Sequence, residues 1–400
     1  MKQVMNGVFA INKPSGRTSA NIIAELQEIF TKSQVFASDM QAIRDKMSYD
    51  LGQDKKWKNK AKKKIANAKV KIGHGGALDP LARGVLVVGV GLGTKKLQYY
   101  LTECQKTYEA KALLGIATTT GDSEGQIVSQ NEIAHITPDS VLHAAEKFVG
   151  DIKQTPPIFS ALKVDGKPLY EYAREGKPIP RDIKVREVNV GRIKVCEEDL
   201  LTTEHDFKRL ESELDENGVA KEHALMNNPT LNDSPLYFSK QYLEQTGGVP
   251  QECKPRLLSE DESHPDKLPM FHFTADVSSG TYIRSLISDI GRAMDSSAYM
   301  VDLVRTKQSE WVLGRNVFEL ENFQRGDRVW GPVLKKVLAH GGEGVDLAKE
   351  LAEAEKETQR GVENKGDEDF DLESEFAKAK QASHRDNDEG AEGFKKRKLT

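Results

Sequence analysis

Apolar residues along this chain fall into short strand-length and helix-length groups, separated by long polar stretches. Residues 7–11 read as a short strand, closed by the turn Lys13-Pro14-Ser15-Gly16. Thr18 or Ser19 then caps a helix whose apolar positions Ile22, Leu26, Ile29 and Phe30 keep helical spacing. Residues 31–70 are polar and lysine-rich, with some helical character and no convincing strand. A compact apolar region follows, with a buried strand over 84–90, a short helix over 94–101 and a strand over 106–114. Thr137-Pro138-Asp139 opens a helix with Val141, Leu142, Ala145 and Phe148 on one face. A short amphipathic helix over 168–175 and an alternating strand over 183–195 come next. From about 202 to 267 no period is sustained, which predicts a long surface insertion between two strands. A strand over 270–277, a helix carrying Ile283, Leu286, Ile287, Ile290 and Met294, and a last core strand over 306–313 complete the pattern. The strands are not separated by regular crossover helices. The fold class expected is therefore α+β, a mixed and mainly antiparallel sheet with flanking helices.

Composition explains the polar gaps. Hydrophobic residues make up 38% of the 400 positions and charged residues 30%, so part of the chain must be solvated insert or tail. No run approaches the ~18 apolar residues of a membrane span. The N-terminus has neither a secretory stretch nor a typical transit pattern. Cys104, Cys196 and Cys253 are odd in number, far apart and without a C-x-x-C, which argues against a disulfide framework or a zinc site and fits a reducing compartment.

Charge changes the picture more. The formal net charge of −4 conceals 17 acidic and 11 basic residues in the last 60 positions, leaving 45 acids and 47 bases in the rest. Within that rest, Lys55 to Lys71 holds nine lysines and no acid, with Trp57 inside the run. Such a block is either a solvated segment or a phosphate-tracking arm, because clustered ammonium groups release counterions from a nucleic-acid backbone. The chain closes on Lys395-Lys396-Arg397-Lys398, a basic cluster that reads as a nuclear address.

The segment from Gly73 to Gly84 surrounds one carboxylate, Asp79, with four glycines and Pro80 just before an apolar strand. Glycine lets the backbone approach a ligand closely, and proline pushes the preceding residue toward an extended conformation. An acid held rigidly on such a loop can serve as nucleophile or base. An ordinary Asp-Pro turn would look the same, and His74 can equally be a satisfied loop histidine. Glycines 89, 91 and 93 are spaced G-x-G-x-G rather than G-x-G-x-x-G, which favours close packing over nucleotide binding. A second cluster, Ser278-Ser279-Gly280-Thr281-Tyr282-Ile283-Arg284, lies at a strand-to-helix junction where Tyr282 can pack on a ring and Arg284 can reach an anion. A capped helix with an exposed arginine remains the plainer reading there. Tyr108 in Lys106-Thr107-Tyr108 and the Leu303-Val304-Arg305 edge are, taken alone, equally consistent with packing.

Taken together and in order, these segments resemble the TruB family of pseudouridine synthases, and most of all its eukaryotic, fungal-type members that act at position 55 in the T-arm of tRNA. The pieces are Ile11-Asn12-Lys13-Pro14-Ser15-Gly16-Arg17-Thr18-Ser19, the His74 to Gly84 loop, and Lys106-Thr107-Tyr108 with Gly121-Asp122. Further pieces are Pro157 to Lys163, Leu169 to Gly176 and Gly280 to Arg284. The resemblance implies that Asp79 is the catalytic carboxylate, that Arg284 pairs with it, and that Tyr108 stacks on the target base and serves in proton transfer. It implies that Tyr282 lines the uracil pocket, that Leu303 packs beside the base, that His74 fills the space of the flipped nucleotide, and that Lys13 supports the loop or contacts RNA. It also implies no cofactor and no metal, tRNA as partner, no membrane or protein partner, a monomer, and a nuclear and mitochondrial location with the cytoplasm open. Gly75 and Arg83 stand where the family commonly has Thr, and no PUA domain is recognisable after 320. The domain organisation expected is a catalytic domain over 1–325 with polar inserts at about 31–70 and 202–267, then a charged, disordered or marginally helical tail over 326–400. An RNA-folding protein that does not need its catalysis, and a guide-dependent rRNA synthase, are the competing readings.

Overall fold

The computed structural model describes residues 5–52, 58–217, 221–225, 228–247, 253–259 and 261–360. Lys55, Lys56 and Trp57 of the lysine block, and the basic cluster at 395–398, lie outside the described residues.

The strands are β1 (Gly7–Lys13), β2 (Ile72–His74), β3 (Arg83–Val90), β4 (Lys106–Leu114), β5 (Ile116–Thr118), β6 (Ile127–Gln130), β7 (Gly150–Gln154), β8 (Lys163–Val164), β9 (Lys167–Pro168), β10 (Arg186–Val195), β11 (Met270–Val277), β12 (Ala298–Gln308) and β13 (Trp311–Val312). The helices are α1 (Ser19–Lys32), α2 (Ala37–Gly52), α3 (Lys58–Ala66), α4 (Leu97–Thr102), α5 (Pro138–Glu146), α6 (Leu169–Arg174), α7 (Lys240–Gln245), α8 (Ile283–Ala293) and α9 (Asp327–His340). One large sheet runs β1-β3-β12-β4-β11-β10-β7, with β2 on β3 and β13 on β12; β5-β6 and β8-β9 form separate hairpins. Every pairing in the large sheet is antiparallel except that of β12 with β3. The fold is thus α+β with a mixed, mainly antiparallel sheet, as the strand and helix pattern predicts.

Two apolar clusters hold the helices on this sheet. One joins Ile22, Leu26 and Phe30 of α1 to β1, β3 and α9; the other joins α5 and α8 to Tyr108, Phe273 and Leu303 of the sheet. Thr18 caps α1 by accepting from the Asn21 N–H, and Thr137 with Ser140 forms a reciprocal cap on α5. Helix α8 is buried along almost its whole length, and its apolar spacing in the sequence reflects that burial.

Three expectations need correction. The last core strand is not 306–313: β12 starts at Ala298 and lies centrally between β3 and β4. Buried Arg305 and partly buried Asp302 interrupt its apolar pattern, and a central strand covered on both faces gives no clean alternation. The tail does not begin at 326. Helix α9 buries Val329, Trp330, Val333, Leu334 and Val337, and Val345, Leu347 and Leu351 are buried after it. That stripe has helical spacing, and each large side chain it buries is worth about 1.5–3 kcal/mol. The charged residues that follow mask it in the composition of the region. Finally, the 202–267 insert is not wholly superficial, because Leu225, Leu231 and Phe238 are buried against the body.

Candidate active site

The loop between β2 and β3 carries Asp79, and the N-terminal segment grips its backbone. Lys13 Nζ donates to the carbonyls of Pro80 at 3.2 Å and Ala82 at 2.6 Å, and also to Pro14 at 2.8 Å. Ser15 Oγ donates to the Leu81 carbonyl at 2.6 Å, and the Gly16 N–H donates to Pro80 O at 2.8 Å. Ser19 Oγ donates to Leu78 O and accepts from Leu78 N–H at 3.0 and 2.8 Å. The Ala82 N–H closes a turn on the Asp79 carbonyl at 3.1 Å. The carbonyls of residues 78–82 are all engaged, so the loop is held in one conformation without using the Asp79 side chain.

Strand β12 supports the other end of the loop. Arg305, fully buried, donates from Nη2 to Gly76 O at 2.9 Å and from Nε to Val85 O at 2.6 Å. Its Nη1 donates to the Tyr108 hydroxyl at 3.4 Å. Gln308 Nε2 donates to Gly75 O at 2.7 Å. Gly84, at φ +106, sits so close to Arg305 that an added Cβ would lie 2.3 Å from its carbonyl oxygen.

The Asp79 carboxylate meets Arg284. Arg284 Nε donates to Asp79 Oδ2 at 2.9 Å, Nη1 to Thr120 O at 2.5 Å, and Nη2 to Phe159 O at 2.7 Å. Asp122 Oδ2 lies 3.7 Å from the same Nε. Side-chain exposure is 38% for Asp79 and 4% for Arg284, so a ligand can reach the acid while the cation stays behind it. Burial penalises the Arg284 charge, but Asp79 and Asp122 outweigh that and raise its pKa above the usual value. Burial, with help from Arg305, lowers the Lys13 pKa to about 8 against the pull of Asp79. Burial and Arg305 also lower that of His74. Burial, Asp122 and Asp79 raise that of Glu124. Asp79 and Asp122 thus face a guanidinium rather than an open cation position.

The residues singled out from the sequence are arranged unevenly. Asp79, Arg284 and Lys13 come together through direct contacts with one another or with the loop. Tyr108 and Leu303 share one apolar cluster with Leu78 and Ala82 of the loop. Tyr282 is the residue before the first turn of α8; its N–H donates to Gln154 Oε1 at 2.8 Å and its carbonyl accepts from Gln154 Nε2 at 3.1 Å. His74 lies on β2 with Nδ1 buried and without a hydrogen-bond partner. Sequence reasoning gives no part in the site to Arg305, Gln154 or Asp122, and sees Ser19 only as a candidate helix cap. Arg305 and Asp122 stand in segments that the sequence singles out, but only the strand register shows what they reach.

Residues 62–210 match the family described as TruB family pseudouridylate synthase (N terminal domain). Over 367 residues the chain is 48% identical to tRNA pseudouridine synthase 4 of Saccharomyces cerevisiae, covering 88% of this chain and 89% of that protein. It is 38% identical over 346 residues to tRNA pseudouridine synthase 4 of Schizosaccharomyces pombe, covering 79% and 82%. To tRNA pseudouridine synthase B of Streptococcus agalactiae it is 33% identical over 249 residues, covering 62% of each chain. A loop-borne carboxylate backed by a buried arginine, on this sheet and with these relatives, defines an RNA pseudouridine synthase. Within that class the chain belongs to the TruB family.

Proposed function

We propose that this protein isomerises the uridine at position 55 in the T-arm of tRNA to pseudouridine, with Asp79 as the catalytic carboxylate. The observation that carries the reading is the Asp79–Arg284 pair at 2.9 Å, presented on a loop whose backbone is fully tied down. The reaction breaks the bond from uracil N1 to ribose C1′, turns the base and forms a C5–C1′ bond, with the C5 proton leaving and N1 taking up a proton from solvent. Nothing is added to or taken from the substrate overall, so one positioned acid, rather than an activated water, is the chemical requirement. Asp79 serves that step as nucleophile or base toward the nucleoside.

A stacked uridine is out of reach, so the base must be flipped into the site, as other base-modifying enzymes require. Tyr108 and Tyr282 are the rings proposed to recover stacking, worth about 1–3 kcal/mol per base. Leu303 packs beside the base, His74 takes the place of the flipped nucleotide, and Lys13 acts through the loop it supports. The protein works on this reading as a monomer without a protein partner. Its proposed location is the nucleus, on the strength of the basic cluster at 395–398, with the mitochondrion as a second site.

The test is release of tritium from tRNA labelled at uridine C5. Asp79→Asn is expected to abolish it while leaving tRNA binding intact; release at the wild-type rate removes Asp79 from the chemistry. An RNA-folding role alone would survive that substitution.

A further inference from the structure

On the opposite face of the sheet from Tyr108 lies a second group of reactive side chains. In the β4–β11 pairing Tyr108 stands across from Ala275 and Ala110 across from Phe273, so His272 and Glu109 project from the other face. Cys196 follows β10 directly, and its N–H donates to His272 O at 2.8 Å, which sets the two side by side across the strands. Asp199 is in the next turn, at the entrance to the 202–267 insert. That turn is held by the Leu201 N–H on Met270 O at 2.7 Å and the Met270 N–H on Thr202 O at 3.0 Å.

Cys196 Sγ, an Asp199 carboxylate oxygen and a His272 ring nitrogen all lie within 4.8 Å of one another. Asp199 Oδ2 is 2.9 Å from His272 Nδ1, and its Oδ1 is buried with no hydrogen-bond partner. Glu109 Oε1 is 3.2 Å from His272 Nε2. A carboxylate on the far nitrogen is the usual outer support of a metal-bound histidine: it fixes the tautomer and frees the near nitrogen's lone pair. Exposed Glu198 touches only the sulfur, its Oε2 3.1 Å from Cys196 Sγ, so the three donors leave one side of the cluster to solvent.

We propose that Cys196, Asp199 and His272 form a zinc(II) site, with solvent in its fourth position and Glu109 as its outer support, that pins the root of the insert to β11. The mixed thiolate, imidazole and carboxylate donors suit this borderline cation, and three of them leave one position of its tetrahedron for water. Lys111 and Lys194 act on Asp199 and Glu198, but with Glu109 the cluster keeps one excess negative charge when His272 is neutral. On binding, the Cys196 thiol gives its proton to solvent as the sulfur–zinc bond forms, so affinity falls with acid. The sequence hides this site because it is assembled across strands rather than by a C-x-x-C spacing.

The full-length protein, freed of metal with a chelator, would be titrated with Zn²⁺ against a chromogenic competitor, and separately with Co²⁺. One tight equivalent is expected, with a thiolate-to-cobalt charge-transfer band and a rise in Tm on adding zinc. Cys196→Ser and His272→Gln should each weaken zinc at least tenfold and remove the Tm rise. Joint replacement of Cys104 and Cys253 by Ser should change neither. Should His272→Gln fail to fold, Cys196→Ser with the cobalt band decides alone. The absence of a stoichiometric site, or affinity and spectrum unmoved by Cys196→Ser, would overturn the proposal and leave His272 as an imidazole bridging two carboxylates.

Discussion

Arg284 uses each of its three guanidinium nitrogens: Nε on Asp79, the other two on the carbonyls of Thr120 and Phe159. Lysine carries the charge but cannot make three divergent planar bonds, so Arg284→Lys is not conservative here. It should lower the rate of tritium release by at least tenfold. It should also cost about 1–3 kcal/mol of stability, read by denaturant unfolding, because buried acceptors lose their donors. Lys13 offers a test through pH. Its ordinary value of 10.5 holds in the unfolded chain, while burial brings the folded value down to about 8. Between these values the unfolded chain holds the extra proton, so this group makes stability rise with pH across that window, by up to about 3 kcal/mol. Below the folded value the burial penalty is present in full. The stability of the wild type relative to Lys13→Met should therefore climb from neutral pH to 10.5, and a flat difference would show that Lys13 keeps its proton.

At the scale of elements, the loop between β2 and β3 shows how a departure from a family pattern can be structural. Gly75 stands where threonine is usual, and a Cβ there would come within 2.6 Å of the Tyr100 Cβ on α4. The tyrosine takes up the room that a side chain at 75 would need. Gly75→Thr should therefore destabilise the protein by about 1–3 kcal/mol, and adding Tyr100→Gly, which removes that Cβ, should recover part of the Gly75→Thr loss. A double mutant no better than the sum of its single changes would mean the two positions are not coupled. Helices with a one-faced apolar pattern, such as α1, α5 and α8, are legible from residue spacing alone, and β1 from its short apolar run before a turn. Strand β12 is not, because it is central and carries a buried arginine in its middle. The same distinction holds in the site. Asp79 announces itself by its glycines and proline, whereas Arg305 and Gln154 matter through bonds to residues more than a hundred positions away.

Over the whole molecule, the net charge of −4 misleads about what the surface meets, because the acids gather late in the chain and the lysines gather next to the site. Within the described part of the lysine block, Lys62, Lys63, Lys64, Lys69 and Lys71 are exposed, on or just after α3. Lys71 immediately precedes β2, and β2 runs directly into the loop that carries Asp79. The Gly91 N–H holds the Lys71 carbonyl at 2.8 Å, anchoring the end of the block to the turn after β3. A flexible solvated linker would need no such anchor, whereas an arm delivering ammonium groups to the phosphates beside the flipped base would. Replacing Lys62, Lys63, Lys64 and Lys69 with Gln should weaken tRNA binding. For every phosphate left without its lysine, the slope of log affinity against log salt should also fall by about 0.7–0.9. Binding measured at several salt concentrations gives both quantities. Weaker affinity with an unchanged slope would point to a disturbed fold, and no change in either would make the block a passive linker.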